Sequence, residues 1–280
     1  MPNIDEQLIE LKNSFENAII SGGKKGKTSA IRSSALINII HDAVKDELIR
    51  QGVDCQQIRP LLGQSSPETK IVGFYKQKKQ DICVGPKNIQ AISSHVSWGP
   101  LASESITDNL GEAYARNTLV INVRSQLSSV AKNTDTLFER TIAESLNLHK
   151  KYPDMVLGEV YLIPTHEYDE TTMDDRRIVF KEKQISIAKY ISFFKALSER
   201  RDVQDELCKY ERCALLVVDF NREQPHLFRT TAELVNEGLL PEGFPIELAD
   251  LSFDSFAADI LATYRERFDI QNLLADREQL

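Results

Sequence analysis

Apolar residues recur along the chain with two different spacings, and each spacing predicts a different element. Steps of three and four in residues 4–20 and 29–50 predict two amphipathic helices with a flexible, basic segment between them. In residues 118–126 the apolar residues are nearly continuous and then alternate, which predicts a buried strand near the middle of a sheet. Residues 134–150 return to the helical spacing, with Thr134 as the cap. Residues 156–164 predict the next strand, so this region forms a parallel crossover unit.

The remaining pattern adds elements on both sides of this unit. Residues 70–76 and 80–84 are short apolar segments separated by lysines, and they predict a hairpin. Residues 85–117 are rich in Gly, Ser, Asn and Pro and predict a long loop. Helices after a charged loop, a strand at 214–220 and a helical part from residue 252 complete the chain. The pattern predicts an α/β fold with a mixed central β-sheet flanked by helices.

Three polar side chains interrupt the central predicted strand and form the candidate site. Asn122, Arg124 and Gln126 share one face of the strand, because side chains alternate with a period of two. Burying such a group without a partner costs about 1–3 kcal/mol, so each needs a bonding partner or a function. Asp81 begins the second strand of the hairpin and can bring a carboxylate to the same edge of the sheet. The alternative is a polar cluster satisfied within the core.

The order of these elements resembles the PD-(D/E)XK nuclease fold of type II restriction endonucleases. Gln80-Asp81 stands where that family has its Pro-Asp, and Asn122-Val123-Arg124 stands where it has acid-X-Lys. The likeness covers about residues 30–164. It implies a restriction-endonuclease-like fold and a sequence-specific double-strand DNA endonuclease that depends on Mg²⁺, with Mn²⁺ as a substitute. It also implies a homodimer acting on a palindrome.

The resemblance implies a catalytic group made of Asp81, Asn122, Arg124 and Glu47. Asp81, Asn122 and Val123 would hold the metal, which activates water, and Arg124 would provide the cation. Glu47 would be the acid near the inner face of the second predicted helix.

This chain departs from the family pattern at two positions. Asn122 offers a neutral amide oxygen in place of a carboxylate. Arg124 keeps a positive charge but stays protonated, so it cannot act as a general base. Either another acid compensates, with Glu47 first and Glu139 or Glu144 as weaker candidates, or the site is weakened or inactive. The alternative function is therefore a nuclease-like fold that only binds DNA.

A second, weaker version of the motif occurs at Pro153-Asp154 and Glu159-Val160-Tyr161. The four residues between Asp154 and Glu159 cannot place these acids on two paired strands. A solvated acid in a turn is the ordinary interpretation of Asp154.

The resemblance also implies contacts to DNA from polar and basic segments. A polar segment follows the central strand and leads into a helix, and lysines lie in the first basic segment and around the Asp81 strand. Lysine contacts to phosphates fix the register of a protein on DNA without reading its sequence. A solvated basic surface is the alternative. The candidate DNA-binding residues are Gln126, Ser128, Ser129, Lys132, Asn133, Lys24, Lys25, Lys27, Lys78 and Lys79.

Net charge changes this picture less than it first suggests. The 280 residues carry a net charge of −8, which by itself argues against a nucleic-acid-binding protein. Residues 1–150 hold 18 basic and 16 acidic side chains, whereas residues 151–280 hold 16 basic and 26 acidic ones. The candidate site therefore lies in the half of the chain with a net charge of +2, and the acidity of the whole chain does not exclude a nucleic-acid-binding protein.

A nucleotide hydrolase is the less favoured enzyme. Residues 21–28, Ser-Gly-Gly-Lys-Lys-Gly-Lys-Thr, resemble a phosphate-binding P-loop with Ser21 in place of the first Gly, and residues 215–219 resemble a Walker B strand. A P-loop must follow a buried strand, but residues 4–20 have helical spacing.

The chain is expected to form one domain in the cytoplasm. It divides into an N-terminal helix and basic arm (1–28), a nuclease core (29–165) and an extension packed on that core (166–280). The longest apolar runs fall short of the roughly 20 residues that span a bilayer, and the first residues lack a secretory signal. The four cysteines form no CxxC pair, which is typical of reduced thiols.

Overall fold

Helices cover both faces of a mixed β-sheet in the computed structural model, which describes residues 3–276. The α-helices of this part are α1 (Ile4–Arg32), α2 (Ala35–Arg50), α3 (Gly111–Arg116), α4 (Val130–His149), α5 (Ile187–Leu197), α6 (Thr231–Asn236) and α7 (Phe253–Arg267). The strands are β1 (Ile58–Arg59), β2 (Lys70–Val72), β3 (Gln77–Lys79), β4 (Ile82–Val84), β5 (Ser94–His95), β6 (Thr107–Asp108), β7 (Leu119–Ser125), β8 (Leu157–Pro164), β9 (His166–Tyr168), β10 (Phe180–Gln184), β11 (Arg212–Asp219) and β12 (His226–Phe228). Residues 1 and 2 of the predicted N-terminal arm and residues 277–280 of the predicted C-terminal extension lie outside the described residues.

The central sheet has the strand order β1-β4-β7-β8-β11-β12. Strands β7, β8 and β11 run parallel, and the pairs β1·β4, β4·β7 and β11·β12 are antiparallel. The parallel pair β7·β8 is joined through α4, as the sequence predicts for a crossover unit. The structure therefore confirms an α/β fold with a mixed central sheet flanked by helices.

Two apolar layers sandwich the sheet, and β7 contributes to both. Ile121 and Val123 point into a layer shared with α1, α2 and α7, whereas Val120 points into a layer shared with α5. This alternation follows from the two-residue period of a strand. All eight residues of β8 are buried, which matches its position between two parallel neighbours.

The predicted flexible basic segment is wrong, because residues 21–28 belong to α1. Helix α1 starts with a capping box between Asn3 and Glu6 and continues to Arg32, with a kink at Gly23, where φ is 57°. Lys27 is buried and forms an ion pair with Glu170. A helix in place of a strand-loop-helix also removes the geometry that a P-loop needs.

The predicted hairpin has different partners from those expected. Strand β2 pairs with β3 in a separate two-stranded sheet, while β4 joins the central sheet between β1 and β7. The tight turn at Gly73–Lys76 explains the difference, because it reverses the chain before Lys78 and Lys79, whereas the sequence prediction places the turn within the lysine cluster. The predicted loop at 85–117 contains the short pair β5·β6 and helix α3.

The other elements follow the sequence prediction with shifts at their ends. Helix α2 begins at Ala35 rather than near residue 29. Helix α4 begins at Val130, so Thr134 is an interior residue whose hydroxyl donates to the carbonyl of Val130 instead of capping the helix. Ser252 caps α7 by accepting a hydrogen bond from the Asp254 N–H.

Within residues 3–276, none of the helices combines the length and the apolar character needed to cross a bilayer. All four cysteines are free thiols.

Candidate functional site

A cleft of about 910 Å³ opens beside the end of β7, between the junction of α1 with α2, the β2–β3 hairpin and α4. Four cations and two carboxylates are among its described lining residues, so its wall favours an anionic ligand. Its charged residues are Lys76, Lys78, Arg124, Arg140, Asp81 and Glu144.

Asp81 is fixed against the central strand at the base of this cleft. It directly precedes β4, in which Ile82 lies opposite Ile121 of β7. The Val123 N–H donates a hydrogen bond of 3.0 Å to Asp81 Oδ2. Asp81 therefore lies beside β7, as the sequence predicts. Its other carboxylate oxygen, Oδ1, has no hydrogen-bond partner among the residues described.

Asn122 lies beneath the cleft, directly opposite Glu159 of β8 in the parallel register. Both side chains are fully buried. Within residues 3–276, neither Asn122 Oδ1 nor the two carboxylate oxygens of Glu159 have a hydrogen-bond partner. Orphaned buried oxygens of this kind are costly, and they are expected where a ligand or ion completes the bonding.

Glu159 is the site residue that sequence reasoning missed. Its signal in the sequence is an acid within an otherwise apolar strand, 157–164. Glu159 lies opposite Asn122 on β7, whereas Asp154 lies before the start of β8 and forms an ion pair with Arg116.

Arg124 joins the buried acid to the cleft wall. Its Nε lies 3.1 Å from Glu159 Oε1, without the angle of a hydrogen bond, and its Nη2 bonds to Glu144. Lys78 also bonds to Glu144. Burial would lower the pKa of Arg124, but Glu159 and Glu144 outweigh it and raise that pKa, so Arg124 stays charged.

Glu144 stays ionised at the cleft wall for the same reason. Burial would raise the pKa of Glu144, but the charges of Arg124 and Lys78 outweigh burial and lower it. Glu144 was a weaker candidate from the sequence, and the structure places it in the cleft.

Burial raises the pKa of Glu159 to about 7, against the attraction of Arg124 and with smaller upward contributions from Glu144 and Asp81. In the folded protein, the Glu159 carboxyl therefore keeps its proton at pH values between 4.5 and 7, where the same carboxyl in the unfolded chain, with its ordinary pKa of 4.5, has lost it. Stability is fully present below that value and falls as the pH rises towards 7. We expect the free energy of unfolding of Glu159→Gln, relative to that of the wild type, to rise by roughly 2 to 3 kcal/mol between pH 5 and pH 8. Urea unfolding at several pH values checks this, and parallel curves for the two proteins would contradict it.

Glu47 is not brought to the cleft. It lies in the last turn of α2, where its carboxylate accepts hydrogen bonds from Arg50 and Gln51. Glu139 is an exposed residue of α4 and is also absent from the cleft lining. The acid that the structure places opposite Asn122 is Glu159.

The predicted DNA-binding residues after β7 divide into two groups. Ser128, Ser129 and Asn133 line the cleft, whereas Lys132 is exposed on α4 outside its lining. Gln126 is buried in a polar network, in which its amide donates to the Val130 carbonyl (2.9 Å) and accepts from the Tyr161 hydroxyl (2.5 Å). Gln126 therefore lines the cleft and also helps to hold the start of α4.

Most predicted lysine contacts are occupied within the protein. Lys24 pairs with Asp174, Lys27 with Glu170, Lys78 with Glu144 and Lys79 with Glu68. Lys24 and Lys25 border a separate cavity of about 560 Å³. Two other cations of the cleft, Lys76 and Arg140, are exposed and form no ion pair within the residues that the structure describes. Arg140 was not singled out from the sequence.

The donors around Asn122 suit a hard cation, although they form a small set. In residues 3–276, no group of three or more His, Cys, Asp or Glu side chains is arranged to hold a metal ion. Asp81 and Glu159 add two carboxylates to the amide oxygen of Asn122, and carboxylate and amide oxygens are the protein ligands of Mg²⁺ and Ca²⁺. Within residues 3–276 the oxygens of Asn122 and Glu159 have no hydrogen-bond partner, and Glu159 Oε1 has an ion-pair partner in Arg124 Nε at 3.1 Å.

No protein-family model, curated protein or solved structure matches this chain.

Proposed function

We propose that this protein is a Mg²⁺-dependent, sequence-specific endonuclease that hydrolyses phosphodiester bonds of double-stranded DNA, on a restriction-endonuclease-like fold. One observation carries the proposal. Asp81, at the start of β4, is hydrogen-bonded to β7 beside Asn122 and Glu159, and the cleft above them has a cationic wall. The oxygens of Asn122 and Glu159 lack hydrogen-bond partners within residues 3–276. Acids placed on neighbouring strands under a phosphate-binding surface are what metal-assisted hydrolysis requires.

Each charged group of the site has a separate task in this proposal. Asp81, Asn122 and Glu159 would hold Mg²⁺ through their oxygens. The bound ion supplies activation of water and neutralisation of charge at phosphorus. Arg124 balances the buried carboxylates, and its fixed position between Glu159 and Glu144 keeps a positive charge next to the reacting phosphate.

Other features of the cleft suit the backbone of DNA rather than a small neutral ligand. Lys76 and Arg140 present cations at the wall that have no ion-pair partner in the described part of the chain. Ser129 and Asn133 line the cleft at the first turn of α4 and offer polar side chains to a phosphate, while the Val130 N–H at the start of this helix already donates to the Glu167 carboxylate. These contacts would position the duplex, because most protein–DNA hydrogen bonds go to phosphates and sugars.

We expect the protein to cut plasmid DNA at discrete sites in Mg²⁺ or Mn²⁺, and to stop when the metal is removed with EDTA. Digestion of a plasmid library followed by sequencing of the ends reports activity, recognition sequence and cut position together. Palindromic sites would support the homodimer, which we include in the proposal. Absence of cleavage in both metals, at protein concentrations that bind the DNA, would contradict the proposal.

A DNA-binding module without cleavage is the second candidate. It is favoured by the neutral side chain at Asn122 and by Arg124, which lies between two carboxylates. Such a module would shift a specific duplex in a gel and leave it intact in Mg²⁺ and Mn²⁺.

We also propose a cytoplasmic location, which suits the four free thiols.

A further inference from the structure

The turn between β2 and β3 presents an aromatic ring and a cation next to the cleft. Tyr75 is 50% exposed, whereas most other tyrosines of the described chain are buried. Lys76 is exposed and lines the cleft. Neither the Tyr75 hydroxyl nor the Lys76 ammonium group has a hydrogen bond or ion pair in residues 3–276. Both polar groups are therefore available to a ligand.

A buried side chain of α4 holds this turn in one conformation. Asn147 Oδ1 accepts hydrogen bonds from the backbone N–H groups of Tyr75 (2.8 Å) and Lys76 (3.0 Å). Asn147 Nδ2 donates to the carbonyl of Lys76 (3.1 Å), and the Asn147 carbonyl accepts from the N–H of Phe74 (2.9 Å). Four hydrogen bonds from one residue leave the backbone of this turn little freedom.

Close packing under the turn points to the same conclusion. A Cβ atom on Gly73 would lie 2.3 Å from Asn147 Nδ2, so only glycine allows this approach. The ring nitrogen of Trp98 donates to the carbonyl of Gly73 (3.4 Å) from below. A turn fixed in this way loses little conformational entropy when it binds, which favours a contact surface over a solvated loop.

Packing alone does not account for Tyr75. The Phe74 ring meets the Tyr75 ring edge to face at 4.9 Å, and half of the Tyr75 side chain stays in water. The residue directly after it belongs to the cationic wall of the cleft. A hydroxyl and an ammonium group on a rigid turn match the oxygens of a phosphodiester backbone, which tyrosine and lysine both bind in protein–DNA complexes.

We infer that the Gly73–Lys76 turn is a preformed contact for the DNA backbone, in addition to the groups around the reacting phosphate. The Tyr75 hydroxyl donates to a phosphate oxygen, and the Lys76 ammonium group pairs with the same or the next phosphate. This inference rests on the proposed function, and it assigns to the turn the positioning of the duplex rather than a part in the chemistry.

The test measures binding of a fluorescently labelled duplex by anisotropy in EDTA, so that it does not depend on cleavage. Tyr75→Phe removes only a hydroxyl, and we expect it to weaken binding about fivefold to tenfold without changing the salt dependence. Lys76→Gln is expected to weaken binding as well, and to lower the slope of log K against log[salt] by about 0.9. Lys183→Gln, an exposed charge of β10 outside the cleft lining, is the matched control.

The outcomes separate this inference from the proposed function. If the wild-type protein bound no duplex at any salt concentration, the proposed function itself would fail. If the wild type bound DNA while Tyr75→Phe and Lys76→Gln behaved like Lys183→Gln, the turn would not be a DNA contact and only this inference would be overturned. Emission from Trp98, the one tryptophan of the sequence, monitors the integrity of the turn in each variant.

Discussion

Replacement of Asp81 by Asn should lower the rate of DNA cleavage at least about 100-fold, because a metal-held site supplies several kcal/mol to the transition state and about 1.4 kcal/mol corresponds to a factor of ten. Asn keeps the size of the side chain and can still accept the hydrogen bond from the Val123 N–H. The loss would therefore reflect the missing charge rather than a disrupted sheet. Single-turnover cleavage of a defined duplex measures the rate, with duplex affinity measured alongside.

The matched control for this change is Glu104→Gln, which neutralises an exposed carboxylate outside the cleft lining. Its cleavage rate should equal that of the wild type. Full activity of Asp81→Asn in Mg²⁺ would remove Asp81 from the proposed site and with it the assignment of β4 and β7 as the catalytic strands.

The largest effect on stability is expected for Glu211→Ala. Glu211 is buried between two arginines, with Oε1 2.9 Å from Arg200 Nη1 and 2.6 Å from Arg267 Nη1. Its other oxygen accepts from the N–H of Leu157 at 2.8 Å. Removal of the carboxylate leaves two guanidinium groups without their charge partner, which costs about 3–5 kcal/mol for a buried pair. Urea unfolding at pH 7 measures this loss.

The same network has a defined dependence on pH. Burial would raise the pKa of Glu211, but His149 and Arg267 outweigh burial and lower it. The stability that Glu211 provides is therefore present above the ordinary carboxyl pKa and disappears as the pH falls through the lowered value. Glu206→Ala, at an exposed position, should change the unfolding free energy by less than about 0.5 kcal/mol. Equal urea midpoints for Glu211→Ala and the wild type would refute the assignment.

The central strand and its polar face could be predicted because both are local patterns. Continuous apolar residues identify β7, and the period of two places Asn122 and Arg124 on one face. The position of Asp81 followed from its place at the start of an apolar strand. Strand type and side-chain alternation depend on neighbouring residues only, so one sequence is enough to read them.

Contacts between distant residues were the part that the sequence did not reveal. The partnership of Asn122 and Glu159 depends on the register of β7 against β8, which tertiary packing sets: a Cβ on Gly158 would lie 2.7 Å from side-chain atoms of Ile260 and Phe256. Parallel register has no local turn to fix it. The fold class could therefore be predicted from local patterns, whereas the pairing of Glu159 with Asn122 could not, because it depends on this register.

The helical state of residues 21–28 shows the same limit. Three glycines and three lysines give this segment the composition of a flexible arm. The ion pair of Lys27 with Glu170, a residue 143 positions away, helps to hold the segment against the rest of the protein. Tertiary contacts override weak local preferences, so composition gave the wrong answer here.

Under the proposed function, the length of α4 determines the distance along a DNA duplex between two of the proposed contacts. Asn133 lies in the cleft near the first turn of this helix, and Asn147 holds the Gly73–Lys76 turn near its last. At a rise of 1.5 Å per residue, the two are about 21 Å apart along the helix axis. A duplex parallel to α4 would pass about six base pairs in that distance, at about 3.4 Å per base pair. The distance between the two contacts would then be fixed by a rigid helix rather than by a loop.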